Sequence, residues 1–257
     1  MKVLTIGDIV SKQGCDYLNE MLPKLKREFS PDIVIANGEN SAVGNGVLPS
    51  SARDIFSSGV DVITLGNHAL KRPEIGDYLE ENEFIIRPSN YHKNAPGRGM
   101  VILDKGRYTA AVINLQGAVY LDNINNPFDA ADEAVKQAEE AGAKIIIIDF
   151  HAEATSEKKA LGFYLDGRVS ALFGTHTHIQ TADDQILPRG TGYITDIGMT
   201  GPYYSVLGVT PEKAIEKMRT NLPVRFSNPD GPCTIEGCVF EIDEKTGICV
   251  KTERFIR

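Results

Sequence analysis

The 257-residue chain has no excess of positive charge, no Cys-x-x-Cys pair and no apolar run near the ~20 residues of a membrane span. Each absence excludes a class. The formal net charge of −8 rules out general coating of nucleic acid, which depends on clustered Lys and Arg, and leaves open a local site that meets phosphate through metal ions. The four cysteines, Cys15, Cys233, Cys238 and Cys249, have no zinc-ribbon spacing. Three of them fall in the last 25 residues, where a disulfide is an alternative to the expected reduced thiols. The opening "MKVLTIGDIV" is interrupted at Asp8 too early for a signal sequence, so the expected location is cytoplasmic, with no membrane partner. "NSAVGNGVLPSS" bears glycines but lacks the GK[ST] ending of a phosphate-binding loop. It is either a lid or a plain connection. No repeat, low-complexity tract or linker divides the chain, which reads as one domain over residues 1–257. Histidine is scarce as well, with five in all, and two of them stand together in "FGTHTHIQTADD".

What is present is a series of short apolar runs alternating with helix-like segments. "KVLTIGD", "DIVIANGEN", "VDVITLGNH", "AAVINLQG", "KIIIIDFH", "SALFGTHTH" and "TGYITDIG" read as strands, most of them apolar on both faces as strands covered on both sides are. Helices are expected near residues 14–29, 50–58, 128–141, 155–165 and 211–220, with Asp129 capping the third and Gly142 ending it. "RGMVILDKGRYTAAVINL" and "CTIEGCVFEIDEKTGICVKTERFIR" read as hairpins turning at "DKG" and "DEKTG". The pattern predicts an α/β fold with mixed sheets and helices outside.

Six of the strands finish in polar residues: Asp8; Glu39 and Asn40; Asn67 and His68; Gln116; His151; His176 and His178. Open α/β sheets bind ligands beyond the carboxyl ends of their strands, so these groups are expected to share one crevice. Asp8, Glu39, Asn40, Asn67, His151, His176 and His178 offer seven oxygen and nitrogen ligands and no thiolate. A structural zinc site takes four ligands and favours cysteine. Seven such ligands suit two divalent ions, from manganese, iron, cobalt, nickel or zinc, sharing a bridging group. Paired ions about 3.5–4 Å apart clamp the attacking and leaving oxygens of a phosphoryl displacement. In an extended segment His176 and His178 would point to the same side, one for each ion, with Thr177 pointing away. Taken singly, the same residues read more plainly: Asp8 as a helix cap, Asn40 and Asn67 as turn residues, His151 as a buried hydrogen-bonded histidine. His92 lies in a polar loop and is assigned no function.

"GDIV", "NGEN", "GNH", "DFH" and "GTHTH", in that order, resemble the five motifs of the calcineurin-like metallophosphoesterases. "INLQG", "DFHAEATSEK", "THTHIQTAD", "YITDIGMTGP" and "NLPVRF" extend the resemblance to the narrower YmdB-type phosphodiesterases of bacteria. The resemblance implies a four-layer α/β/β/α sandwich of two mixed sheets with outer helices. It implies two metal ions per chain, iron or manganese first and zinc next. Asp8, Glu39, Asn40 and His178 would hold one ion; Glu39, Asn67, His151 and His176 would hold the other, with Glu39 bridging. His68 would be the proton donor to the leaving oxygen. The implied reaction is hydrolysis of a small phosphodiester such as a 2′,3′-cyclic nucleotide, by in-line attack of a metal-bridging hydroxide. The chain departs from the broad family at Val10, where the first motif usually has histidine; at Glu39, where the bridge is usually aspartate; and at Ala69, where an acidic residue usually follows. Two alternatives stand beside this reading: a phosphomonoesterase or nucleotidase using the same site, and a metal-bound regulatory protein with incidental hydrolysis. No Lys or Arg adjoins any of the five motifs, which favours the less charged diester. "GMTGPYYSVLG" offers either phosphate donors at Thr200 and Gly201 or a subunit contact at Tyr203 and Tyr204; a homo-oligomer is expected.

Overall fold

A computed structural model describes residues 1–122 and 124–257 of the chain. The strands are β1 (Lys2–Ile6), β2 (Asp8–Ile9), β3 (Ile33–Asn37), β4 (Val62–Thr64), β5 (Ile85–Ile86), β6 (Met100–Asp104), β7 (Thr109–Gln116), β8 (Ile145–His151), β9 (Ala171–Thr175), β10 (Gln185–Ile186), β11 (Gly192–Ile194), β12 (Met199–Pro202), β13 (Cys233–Ile242) and β14 (Cys249–Ile256). The α-helices are α1 (Ser11–Phe29), α2 (Pro49–Ser57), α3 (Gly76–Glu81), α4 (Pro127–Glu140), α5 (Thr155–Tyr164) and α6 (Pro211–Thr220). One sheet runs β2-β12-β13-β1-β3-β4-β5, with β14 paired to β13; the other runs β10-β11-β9-β8-β7-β6. Both are mixed. β1, β3, β4 and β5 are mutually parallel while β13 runs against β1, and β7, β8, β9 and β11 are parallel while β6 runs against β7.

Alternation along the strands creates three apolar layers. Val3, Ile33, Ile35 and Val62 face Val112, Ile145, Ile147 and Phe173 between the sheets. Their neighbours Leu4, Ile6, Val34 and Ile63 turn outward onto Leu18, Leu22 and Leu25 of α1 and Ile55 of α2. Ile113, Ile146, Ile148 and Leu172 turn outward onto Ala131, Val135 and Ala138 of α4 and Leu161 of α5. This is the expected four-layer α/β/β/α arrangement, and it explains why most strands read as apolar on both faces. Both expected hairpins form.

Three local expectations differ from the structure. The first helix starts at Ser11, earlier than residue 14, and its N-cap is Val10, so Asp8 caps nothing. α4 is capped by Asn126, whose side chain accepts from the Phe128 amide at 2.8 Å; Asp129 sits in the first turn, where its charge suits the helix dipole. β12 forms from "MTGP", so Thr200 and Gly201 are buried ladder partners of β2 and β13 instead of exposed phosphate donors. The short helix α3 was not anticipated. Among the described residues no helix is long and apolar enough to cross a membrane, and all four cysteines are free.

Candidate metal centre

The same alternation that fills the space between the sheets builds the site. Continuing the inward parity of β3, β4, β7, β8 and β9 toward their carboxyl ends gives Asn37, Thr64, Asn114 and Gln116, Asp149 and His151, and Thr175. All are fully buried. The apolar layer therefore ends in a polar roof, and the roof must satisfy itself. Asp149 is its hub: it accepts from Thr175 Oγ1 at 2.7 Å and Asn37 Nδ2 at 3.2 Å, and also from Thr64 Oγ1. Thr175 Oγ1 in turn lies 2.9 Å from His151 Nδ1. Because the Thr175 proton goes to Asp149, its oxygen is left to accept from His151 Nδ1–H. That order leaves Nε2 as the outward-facing nitrogen of His151.

Three groups converge on that nitrogen. Glu39 Oε1 is 3.1 Å away, Asn67 Oδ1 3.0 Å and His176 Nδ1 3.0 Å. The ligand atoms of Glu39, His151 and His176 lie within 4.8 Å of one another. A second group stands alongside: His178 Nε2 is 3.7 Å from Asp8 Oδ1 and 3.3 Å from the Asn40 amide nitrogen. Glu39 joins the two groups, since the Asn40 amide also reaches its Oε1 at 3.3 Å. Asn40 presents its nitrogen to His178 and its oxygen to His68 Nδ1 at 2.8 Å, so service as an oxygen ligand requires the flipped amide. His68 is fixed twice more: its backbone amide donates to Glu39 Oε2 at 2.8 Å, and its Nδ1 lies 3.3 Å from Glu39 Oε1. Gly66 lets the backbone just before Asn67 and His68 pass close to His151, because a Cβ there would fall 2.1 Å from the His151 ring.

β9 ends at Thr175, and the expected extended path through His176 and His178 is not what forms. His176 has φ 100° and His178 φ 63°, so the chain turns sharply at both. The two imidazoles still reach the two groups, but through a turn and not through strand alternation. The turn is held from below. Thr177 points away from the crevice, donating from its hydroxyl at 2.8 Å and from its backbone amide at 3.1 Å to Asp196 Oδ2. That same oxygen accepts from Lys158 Nζ. From the other side, His178 Nδ1 lies 3.1 Å from the Leu207 carbonyl, which gives the "YYSVLG" segment a part in orienting a candidate ligand.

The electrostatics favour a cation. Asp8 is fully buried, its Oδ1 has no hydrogen-bond partner among the described residues, and burial raises its pKa, with His178 and His151 opposing. Burial would raise Glu39 too, but the charge and hydrogen bond of His151, with help from His68, hold it well below its usual range. Burial lowers His151, yet Glu39 and Asp8 bring it up to about 9. His176 falls to about 3 through burial and the neighbouring His151 charge. Two buried carboxylates, one with an unsatisfied oxygen, and a neutral imidazole form a donor set suited to divalent metal.

The seven expected ligands Asp8, Glu39, Asn40, Asn67, His151, His176 and His178 and the expected proton donor His68 thus gather in one crevice. Sequence reasoning missed the supports Asn37, Thr64, Asp149, Thr175, Lys158, Asp196 and Leu207. Strand parity would have found the first four; the others come from distant segments with no local signal.

The architecture is that of the metallophosphoesterases. It superposes on the NAD nucleotidase of Haemophilus influenzae with a TM-score of 0.62, at 14% identity, covering 100% of this chain and 55% of that one. Within that class the chain belongs to the YmdB-like protein family, whose model matches residues 4–255. It is 47% identical over 256 residues to the 2′,3′-cyclic-nucleotide 2′-phosphodiesterase of Bacillus subtilis, covering 100% of this chain and 97% of that protein. A phosphatase of Mycoplasma pneumoniae superposes with a TM-score of 0.93 at 31% identity, covering 100% of this chain and 93% of that one.

Proposed function

We propose that residues 1–257 form one metal-dependent phosphodiesterase domain acting on 2′,3′-cyclic nucleotides. The observation that carries this is the convergence of Glu39, Asn67 and His176 on His151 Nε2, beside a buried Asp8 oxygen with no hydrogen-bond partner among the described residues. Asp8, Asn40 and His178 would hold one ion, Asn67, His151 and His176 the other, and Glu39 both. Bound there, a pair of divalent ions, iron or manganese before zinc, supplies a water-derived nucleophile and neutralises phosphate charge.

The chain's own residues account for the rest. Asp149 and Thr175 fix the tautomer and the angle of His151. Lys158 and Asp196 hold the turn that carries His176 and His178. His68 Nδ1 lies 3.3 Å from Glu39 Oε1, a contact that does not depend on which way the Asn40 amide is turned, and Nε2 is left to meet a substrate oxygen. As the water oxygen bonds to phosphorus, the ribose oxygen departs and takes a proton from His68 Nε2. The 47% identity to a 2′,3′-cyclic-nucleotide 2′-phosphodiesterase supports the diester as substrate. The cysteines, buried or half-buried and unpaired, accord with a cytoplasmic protein, and the exposed pair Tyr203 and Tyr204 supports a homo-oligomer.

Hydrolysis of 2′,3′-cyclic AMP by metal-loaded protein, compared with a phosphomonoester such as 3′-AMP, tests the reading. Conversion of the cyclic diester to a stable monoester is expected. Release of inorganic phosphate from 3′-AMP at an equal or higher rate would move the assignment to a phosphomonoesterase.

A further inference from the structure

A cavity of about 890 Å³ opens beside the centre. Its wall runs from Asn67 and His68 through Leu70 and Lys71 to Tyr91 and His92, and closes with Ile124 and Asn125. None of the cavity residues beyond Asn67 and His68 has a part in the chemistry above.

Given the function proposed above, we infer that this cavity receives the nucleoside of the substrate, with the His92 ring against the face of the base and Asn125 at its edge. Three observations lead there. The first is position. In a 2′,3′-cyclic diester both ester oxygens belong to one ribose, so sugar and base must lie on the side of the departing oxygen. His68 is the group placed to protonate that oxygen, and His68 lines this cavity.

The second is the lining. Aliphatic and aromatic surface from Leu70, Tyr91, His92 and Ile124 is combined with the amide of Asn125, the mixture that takes a flat heteroaromatic ring with polar edges. Lys71 is opposed by Asp122 in the same wall, so the lining has no surplus of positive charge for a second phosphate. A single nucleoside fits better than an oligonucleotide, in keeping with the acidic chain.

The third is preorganisation. The Tyr91 hydroxyl donates to the Gly66 carbonyl at 2.8 Å and lies 3.0 Å from Gln116 Oε1, so its ring is a fixed wall tied to the segment beneath His151. His92 Nδ1 accepts from the Asn94 amide at 3.2 Å, which leaves Nε2–H and the ring faces for a ligand. The backbone of Asn125 is pinned to Asn90 on both sides, its amide donating at 3.2 Å and its carbonyl accepting at 3.0 Å, while its side chain stays exposed. The base-reading group is therefore mounted on backbone that Asn90 holds at Asn125 itself.

The test is calorimetric binding of 3′-AMP and of ribose 3-phosphate to manganese-loaded protein, in the wild type and in His92→Ala and Asn125→Ala. Both side chains are exposed, so neither variant threatens folding. The base is expected to strengthen binding by about tenfold or more in the wild type, and each variant to bring the ratio of the two affinities toward one. Equal affinities in the wild type, or a ratio unmoved by both variants, would overturn the inference. Turnover of 2′,3′-cyclic AMP and of ribose 2,3-cyclic phosphate separates the two proposals. A base-dependent affinity without cyclic-diester hydrolysis keeps the cavity and removes the reaction. Equal hydrolysis of both diesters, with equal binding of both products, keeps the reaction and removes the cavity.

Discussion

Lys158 Nζ lies 2.7 Å from Asp196 Oδ2, and both side chains are buried away from solvent. The pair sits beneath the turn that presents His176 and His178, because the same carboxylate oxygen accepts from Thr177. Its other oxygen accepts from the Gly198 amide at 2.9 Å, so one carboxylate ties the end of β9 to the start of β12. Gly174 makes room for it, since a Cβ there would lie 2.9 Å from Lys158 Cδ.

Removing one partner leaves the other charge buried and unpaired. Lys158→Met is expected to destabilise the protein by about 3–5 kcal/mol, and Lys158→Met/Asp196→Asn by less, because no lone charge remains. Denaturant unfolding of the three proteins checks this. A double variant less stable than Lys158→Met would contradict it.

Thr175 passes the orientation from Asp149 to His151. Thr175→Val keeps the shape and removes the hydroxyl, so metal affinity is expected to fall about 10–100-fold, as for other partners of ligating histidines. Thr175→Ser is expected to retain most of it. Competition with a chromophoric chelator measures both.

His68 is assigned to proton transfer and not to metal retention. His68→Gln is expected to lower kcat by about 10²–10⁴-fold while the metal content stays at the wild-type level. If the variant loses its metal instead, His68 belongs among the ligands. A cellular phenotype unchanged in His68→Ala, with hydrolysis lost, would favour the regulatory alternative.

Glu236 gives a pH dependence remote from the chemistry. Burial raises its carboxyl from an ordinary 4.5 to about 6, and its Oε2 is buried with no hydrogen-bond partner among the described residues. The folded state therefore holds this proton more tightly than the unfolded chain does. Below about 4.5 both states are protonated and nothing is lost. As pH rises through about 6 the folded state must carry a poorly solvated charge, and stability falls. Glu236→Gln is expected to abolish that fall between pH 4.5 and 6 and to gain on the order of 1 kcal/mol at neutral pH, a figure reduced for partial solvent screening. Thermal unfolding across that range measures it.

Much of the site was legible because its residues end apolar strands, and a run such as "KIIIIDFH" announces both the strand and the polar group at its tip. The layers were legible from the same runs. The path after β9 was not. Two positive-φ residues, His176 and His178, convert an apparent strand extension into a turn, with Asp196 holding Thr177 between them and the Leu207 carbonyl meeting the His178 ring. β12 was hidden for a related reason: "MTGP" has little β-branched character and forms a strand only between β2 and β13. His92 read as an idle loop residue because only the folded chain shows that it shares a cavity with His68.

Occupancy of the crevice by metal is measured by elemental analysis of protein purified without added metal or chelator, wild type beside His151→Ala. About two transition-metal ions per wild-type chain are expected, on the stoichiometry of paired-ion phosphoesterases, with a clear loss of metal in the variant. A wild-type protein that holds no metal even after reconstitution, or a His151→Ala variant that holds as much as the wild type, would contradict this expectation.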